Sequence, residues 1–136
     1  ALADAIRSAP HILSSVRPDG ASGRDPVLDR FGGLLREHRG WVGYLSSTGV
    51  YGDTGGAWVD EASTVGGGRR SARTEADLGW QALGATVFRL PGIYGPGRSA
   101  LDQARQGTAR RVDRPGHRFN RIHVDDIAGA VLAAMA

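Results

Sequence analysis

With 136 residues, 40% of them hydrophobic, the chain has the size of one ordinary domain, so a single α/β core is within reach and two are not. All 17 basic residues are arginine and the net charge is +3; without lysine there is no amine nucleophile, no Schiff base and no ammonium group to tune a neighbouring pKa. Cysteine is absent as well, which excludes disulfide frameworks and thiolate zinc sites, and no apolar run approaches the roughly 18 residues of a membrane span.

Short apolar or β-branched runs alternate with segments of helical period, the pattern of repeated β-α units around a mainly parallel sheet. The N-terminus, ALADAIRSAPHILSSV, lacks the basic-then-apolar order of a secretory signal, so a cytoplasmic protein is expected. Within it, HILSSV (11–16) reads as a strand closed by Pro18, Asp19 and Gly20. DPVLDRFGGLLREH (25–38) reads as a helix with Asp25 as N-cap, Pro26 at the first position, and Val27, Leu28, Phe31, Leu34 and Leu35 at helical spacing. WVGYLSS (41–47) is a second strand, and a glycine-rich loop (48–68) leads into a helix within 69–84. TVFRL (86–90) is a third strand and SALDQARQG (99–107) a short helix. Beyond it, ARRV (109–112) and FNRIHV (119–124) read as short strands across Pro115 and Gly116, with Asp125 or Asp126 capping a last helix. Three strands with four helices make a thin sheet whose apolar faces need further neighbours, so the chain, which opens on Ala1, reads as an incomplete fold.

RLPGIYGPGRS (89–99) imitates two phosphate loops. As a P-loop it fails twice, because Arg98 stands where the lysine would be and Pro96 removes an N–H from the cradle. As a dinucleotide fingerprint it has the wrong glycine order. What remains is a stiffened connection leaving the carboxyl end of a strand, where open parallel sheets gather ligands, and so one side of a cofactor cleft.

YLSSTGVYGD, the acidic WVDEAS, a helix carrying Glu75, FRLPGIYGPGR and FNRIHVDDIAGAVLAA, in that order and over nearly the whole chain, resemble the extended and atypical short-chain dehydrogenase/reductases of the NAD-dependent epimerase/dehydratase family. The resemblance implies a Rossmann-type doubly wound parallel sheet in which HILSSV is the fourth strand, with strands 1–3 and the glycine-rich phosphate loop absent. Residues 1–136 would then be one partial NAD(P)-binding domain, the catalytic and substrate-side half, with NAD or NADP as a weakly bound cofactor. It implies that Ser47, with Thr48 beside it, hydrogen-bonds the reacting oxygen, although Ser46 and Ser47 read equally well as satisfying the backbone at a strand end. It implies cofactor contacts from Ser15, Val16, Pro18, Leu45, Ser46, Pro91, Gly92 and Ile93, the last three along the nicotinamide, and substrate contacts from Tyr94, Arg98, Asn120 and Arg121. Ser47 and 91–93 would line opposite walls of one crevice.

The chain departs from this pattern at the Tyr-x-x-x-Lys pair that the family uses for acid/base work. Counted back from Glu75, the tyrosine falls on Gly67 and the lysine on Ser71. Arg69, Arg70 or Arg73 could supply charge but not a proton at neutral pH, and Tyr51 is a candidate replacement acid. Dinucleotide and small-molecule substrate are the expected partners, a nucleotide-sugar or another polyol or carbonyl compound, with a homodimer kept open. A non-catalytic NAD(P) sensor or interaction protein is the alternative.

Other constellations carry less. His123, Asp125 and Asp126 lack a spaced partner among His11, His38 and His117, so no metal site is expected. Asp60 and Glu61 read as a solvated turn, and Ser47, His123 and Asp125 lack the elbow of a hydrolase serine. Six arginines from Arg105 to Arg121 could follow a nucleic-acid backbone, but only Phe119 offers a stacking surface there, and nucleic acid ranks last among the partners.

Overall fold

The computed structural model describes residues 2–66, 71–110, 113, 115, 116 and 118–136. Their order is α1 (Leu2–Ser8), β1 (His11–Ser14), α2 (Pro26–Glu37), β2 (Trp41–Ser47), a 3-10 turn (Thr48–Tyr51), α3 (Ala72–Ala82), β3 (Thr86–Leu90), β4 (Gly92–Tyr94), α4 (Ala100–Arg105), β5 (Arg121–His123) and α5 (Val124–Met135). Strands β1, β2 and β3 form a parallel sheet in sequence order, with His11 opposite Trp41 and Ser47 opposite Leu90. A second parallel pair joins β4 to β5, with Gly92 opposite Arg121 and Tyr94 opposite His123. Parallel pairing throughout, with helical crossovers between the strands of the larger sheet, makes this a partial Rossmann-type α/β fold.

The helices α1, α2 and α3 bring their apolar residues to one core. Ile6, Leu35, Ala76 and Trp80 pack with Tyr44 of β2. Trp80 lies flat on Tyr44, ring centroids 5.1 Å apart and 8° from parallel. One carboxylate fastens this layer. Asp25 Oδ1 accepts the N–H groups of Val27 and Leu28 at the start of α2, and Asp25 Oδ2 accepts Trp80 Nε1–H of α3 at 2.9 Å. Two helix-end donors and a buried indole N–H are thus satisfied by one residue. On the other face of the sheet Trp41 lies between His11 and Phe88. Its ring covers Gly43, where any side chain would collide with it.

The strands at 41–47 and 86–90 and the helix with its Asp25 cap stand where the sequence put them. Several expectations need correcting, among them the strand read at 119–124, which is confined to Arg121–His123 because Val124 already opens α5. The first strand ends at Ser14, two residues early. Leu2–Ser8 is a helix that the sequence reading left out. Gly92–Tyr94, taken for part of a connecting loop, is a strand because β5 supplies a partner, with Gly92 N–H donating to Asn120 O at 3.2 Å. The last helix is capped by His123, whose Nδ1 accepts Asp125 N–H at 3.3 Å; Asp125 and Asp126 lie in its first turn, where carboxylates suit the positive end of the helix. Of the strand expected at 109–112, Ala109 and Arg110 are not in a strand, and Arg111 and Val112 lie outside the described residues. Gly67, Arg69 and Arg70 also lie outside them, while Ser71 caps α3 by accepting Thr74 N–H. Among the described residues no helix is long and apolar enough to cross a membrane.

Candidate functional site

A cleft of about 760 Å³ runs along the free edge of β3 and past its carboxyl end to Pro91. It is lined by the chain that follows β2, with Thr48, Tyr51 and the loop residues Trp58 to Glu61, and by Arg118, Asn120, Ile122 of β5 and Ile127 of α5. Phe88, Leu90 and Pro91 give it an apolar floor. Its size lies within the roughly 300–1,000 Å³ of small-molecule sites, and it opens where parallel sheets place ligands.

Tyr51, Gln81 and Arg89, which also line the cleft, belong to a charged cluster that the family pattern does not describe. Asp77 of α3 is fully buried. Its carboxylate accepts Ser46 Oγ–H at 2.6 Å, Gln81 Nε2–H at 2.6 Å, and Arg89 through Nε at 3.2 Å and Nη2 at 2.9 Å. A carboxylate taken from water is tolerated at this density of donors. Asp77 in turn holds the Arg89 guanidinium charged even more firmly than usual. Arg89 passes a third hydrogen bond to Tyr51 Oη at 3.0 Å, with its guanidinium 5.0 Å from the Tyr51 ring centre. Tyr51 Oη–H donates to Asp60 O at 2.8 Å. The cluster therefore ties α3, β3, the 3-10 turn and the outer loop into one frame around the cleft.

The expected site residues separate when placed on this frame. Thr48, Tyr51, Pro91 and Asn120 line the cleft. Ser47 stands beside Leu90 in register, so it and Pro91 are neighbours at adjacent strand ends and not opposite walls. Ser47 Oγ accepts Gly49 N–H at 3.2 Å, capping the 3-10 turn. Ser46 is committed to Asp77, and Leu45, next to it along the pleat, belongs to the sheet's opposite face. Ser15, Val16 and Pro18 follow β1 and do not reach the cleft, nor do Gly92 and Ile93, which are occupied by pairing with β5. Tyr94 sets its ring edge-on to His123 at 5.1 Å. Arg121 folds back over Phe119 and against Gly92, while Arg98 forms a backbone bridge to Gly95. Arg73, considered as a source of charge, donates to Tyr44 Oη at 2.9 Å on the helical side of the sheet.

Sequence reasoning missed Asp77, Arg89 and Trp58; it weighed Glu61 as part of a solvated turn and Arg118 as one of the six arginines of the basic segment, without placing either in this cleft. Arg89 carried a signal, being a charge inside the apolar run TVFRL, which requires a buried partner. Asp77 gave none, since its helical neighbours are compatible with a solvated face.

No protein-family model matches the chain, and no curated protein does. Solved structures do match. A functionally unknown conserved protein from Silicibacter pomeroyi DSS is 46% identical over 92% of this chain, with a TM-score of 0.76. The "putative NAD-dependent epimerase/dehydratase" of Methylobacillus flagellatus is 27% identical over 96% of this chain, with a TM-score of 0.67. The chain spans about half the length of these proteins, 46% of the first and 51% of the second. It is thus similar in sequence and fold to a protein of the broad epimerase/dehydratase class.

Proposed function

We propose that this chain is the nicotinamide- and substrate-side part of an NAD(P)-dependent epimerase-like or reductase-like protein acting on a carbonyl or polyol compound, nucleotide-sugars included. The observation that carries the reading is the meeting of Thr48, Tyr51 and Pro91 in one cleft at the carboxyl end of β3. The likeness to the Methylobacillus flagellatus protein supports the same cofactor class.

The residues present fit the nicotinamide end of a dinucleotide: a flat apolar floor of Phe88, Leu90 and Pro91 beside the hydroxyls of Thr48 and Tyr51. Bound there, the ring would supply hydride exchange with a carbon of the substrate. The chain's own part would be to bind the ring, exclude water with Phe88 and Leu90, and orient the substrate oxygen by a hydrogen bond from Thr48 Oγ1. The start of α2 does not suit a pyrophosphate, because the Asp25 carboxylate already takes its N–H groups. Binding to this chain should therefore be weak. Titration with NADH and NADPH, followed by nicotinamide fluorescence, should give weak saturable binding that is lost in Thr48→Trp, where the cleft is filled. No saturable binding of either dinucleotide would reject the reading.

One observation favours the sensor reading. Tyr51, the replacement acid, has its hydroxyl engaged on both sides, by Arg89 and by Asp60 O. A dinucleotide would then be held without turnover. Where a substrate is turned over, Tyr51→Phe separates the two, since an acid role requires kcat to fall.

A further inference from the structure

Tyr51 has one hydroxyl proton to give, and the groups around it decide where that proton points. Arg89 Nη1–H donates to Tyr51 Oη at 3.0 Å, and a guanidinium accepts nothing in return. The Tyr51 proton goes instead to Asp60 O at 2.8 Å. Asp77 fixes the arrangement by holding Arg89 through both carboxylate oxygens. Tyr51, Asp60 and Arg89 all line the cleft, so a ligand oxygen arriving there meets a donor already in use. Tyr51 can serve it only by leaving Asp60 O. That carbonyl also accepts Ser63 N–H at 3.2 Å and keeps a partner when Tyr51 turns away. The loop that carries Asp60 buries little surface, with residues 52–58 and 60–62 exposed. Thr54 bonds to Ala57, and Asp60 to Ala62 and Ser63, so these contacts travel with the loop. Gly52 and Gly66 bound it with φ of 72° and 76°, a conformation open to glycine, and Gly66 N–H closes its base on Val50 O at 2.7 Å. A segment with so few buried contacts opens at low cost, and the bond from Tyr51 then matters to whether it stays seated.

We propose that the Tyr51–Asp60 hydrogen bond is a latch seating loop 52–66 on the cleft, and that a ligand carbonyl oxygen releases the loop by taking the Tyr51 donation from Asp60 O. The proton stays on Tyr51 and only its acceptor changes. A carbonyl is singled out because it accepts and cannot donate, whereas a hydroxyl can accept from Tyr51 and donate onward to Asp60 O, bridging the two. The inference rests on the reading of this cleft as the substrate position, narrows that substrate to a carbonyl compound, and does not require the dinucleotide. It also gives Tyr51, engaged on both sides in the free chain, a way to reach a substrate.

The test follows backbone amide order parameters of the ¹⁵N-labelled chain. In the parent chain the amides of 57–62 should lie near the rigid value of about 0.85, and in Tyr51→Phe they should fall below about 0.6 while those of α2 and β2 stay unchanged. Asp60→Asn keeps the carbonyl and should behave as the parent chain. Cyclohexanone, an apolar ring suited to the Phe88 and Leu90 floor, should lower the parent loop saturably to the level of Tyr51→Phe and leave that variant as it was. Cyclohexanol, of the same size, should leave the loop seated. A loop as rigid in Tyr51→Phe as in the parent chain, a parent loop unmoved by cyclohexanone, or equal release by ketone and alcohol would each overturn the proposal. Should Tyr51→Phe not fold, the ketone and alcohol titrations of the parent chain decide alone. NADH titrated in parallel keeps the two readings apart: release by cyclohexanone without saturable NADH binding counts against the dinucleotide reading alone, and NADH binding with a loop unmoved by cyclohexanone against this one.

Discussion

Tyr44 shows how one side chain links packing to pH. It is wholly buried beneath Trp80, and that burial raises its phenol above the usual value near 10, against the opposing effect of Arg73. A raised pKa means the folded state holds the proton more tightly than the unfolded chain. The resulting stability is complete below about pH 10 and is lost as pH rises through the folded pKa. Because the chain has no lysine, tyrosines are the only side chains that change charge in the range of about pH 9 to 12. Denaturant unfolding of Tyr44→Phe should therefore show a flatter alkaline limb than the parent chain, even if its stability at neutral pH is lower. An alkaline loss identical in both would show that Tyr44 does not drive it.

At the scale of elements, Asp77 and Arg89 join α3 to β3 where an apolar contact would be expected. The side chain of Asp77 is fully buried and that of Arg89 is 12% exposed. Removing one partner leaves a charge with little water, so Asp77→Ala should destabilise by about 3 to 5 kcal/mol in urea unfolding. The double variant Asp77→Leu with Arg89→Met should recover much of that loss, because a pair replaced by apolar groups of similar volume is close to neutral. Equal destabilisation in the single and double variants would mean that the hydrogen bonds to Ser46, Gln81 and Tyr51, rather than the unpaired charge, dominate. The elements legible in advance were those whose signals are local: Asp25 and Pro26 opening α2, Ser99 opening α4, the β-branched and apolar run of β3. Gly92–Tyr94 was not legible as a strand, because its strand character comes from Arg121–His123, almost thirty residues away. The cap of α5, expected at Asp125 or Asp126, lies two or three residues earlier because the His123 imidazole accepts the bond that a carboxylate there also could.

For the whole molecule, the parallel order of three strands with crossover helices was readable from period and spacing, and the cleft followed from where such sheets end. Which side chains enter the cleft was readable only in part, for Thr48, Tyr51, Pro91 and Asn120. Ser46 and Ser47 look alike in the sequence, yet the pleat sends one to Asp77 and leaves the other capping a turn. Pro91 and Asn120 reach the cleft while Gly92 and Arg121, their chain neighbours, are taken up by strand pairing. Trp58 could not be told from a core tryptophan without the fold of its loop. Sheet and cleft together put the proposed site at the edge of β3, with residues of the loop from Thr54 to Glu61 in its lining.

Hydrogen exchange with and without NADH tests that centre most directly. A dinucleotide seated on Phe88, Leu90 and Pro91 should slow exchange at the amides of 48–51 and 88–90 and leave the surface of α2 unchanged. Protection confined to β1 and α2, or no change at any amide under saturating NADH, would contradict it.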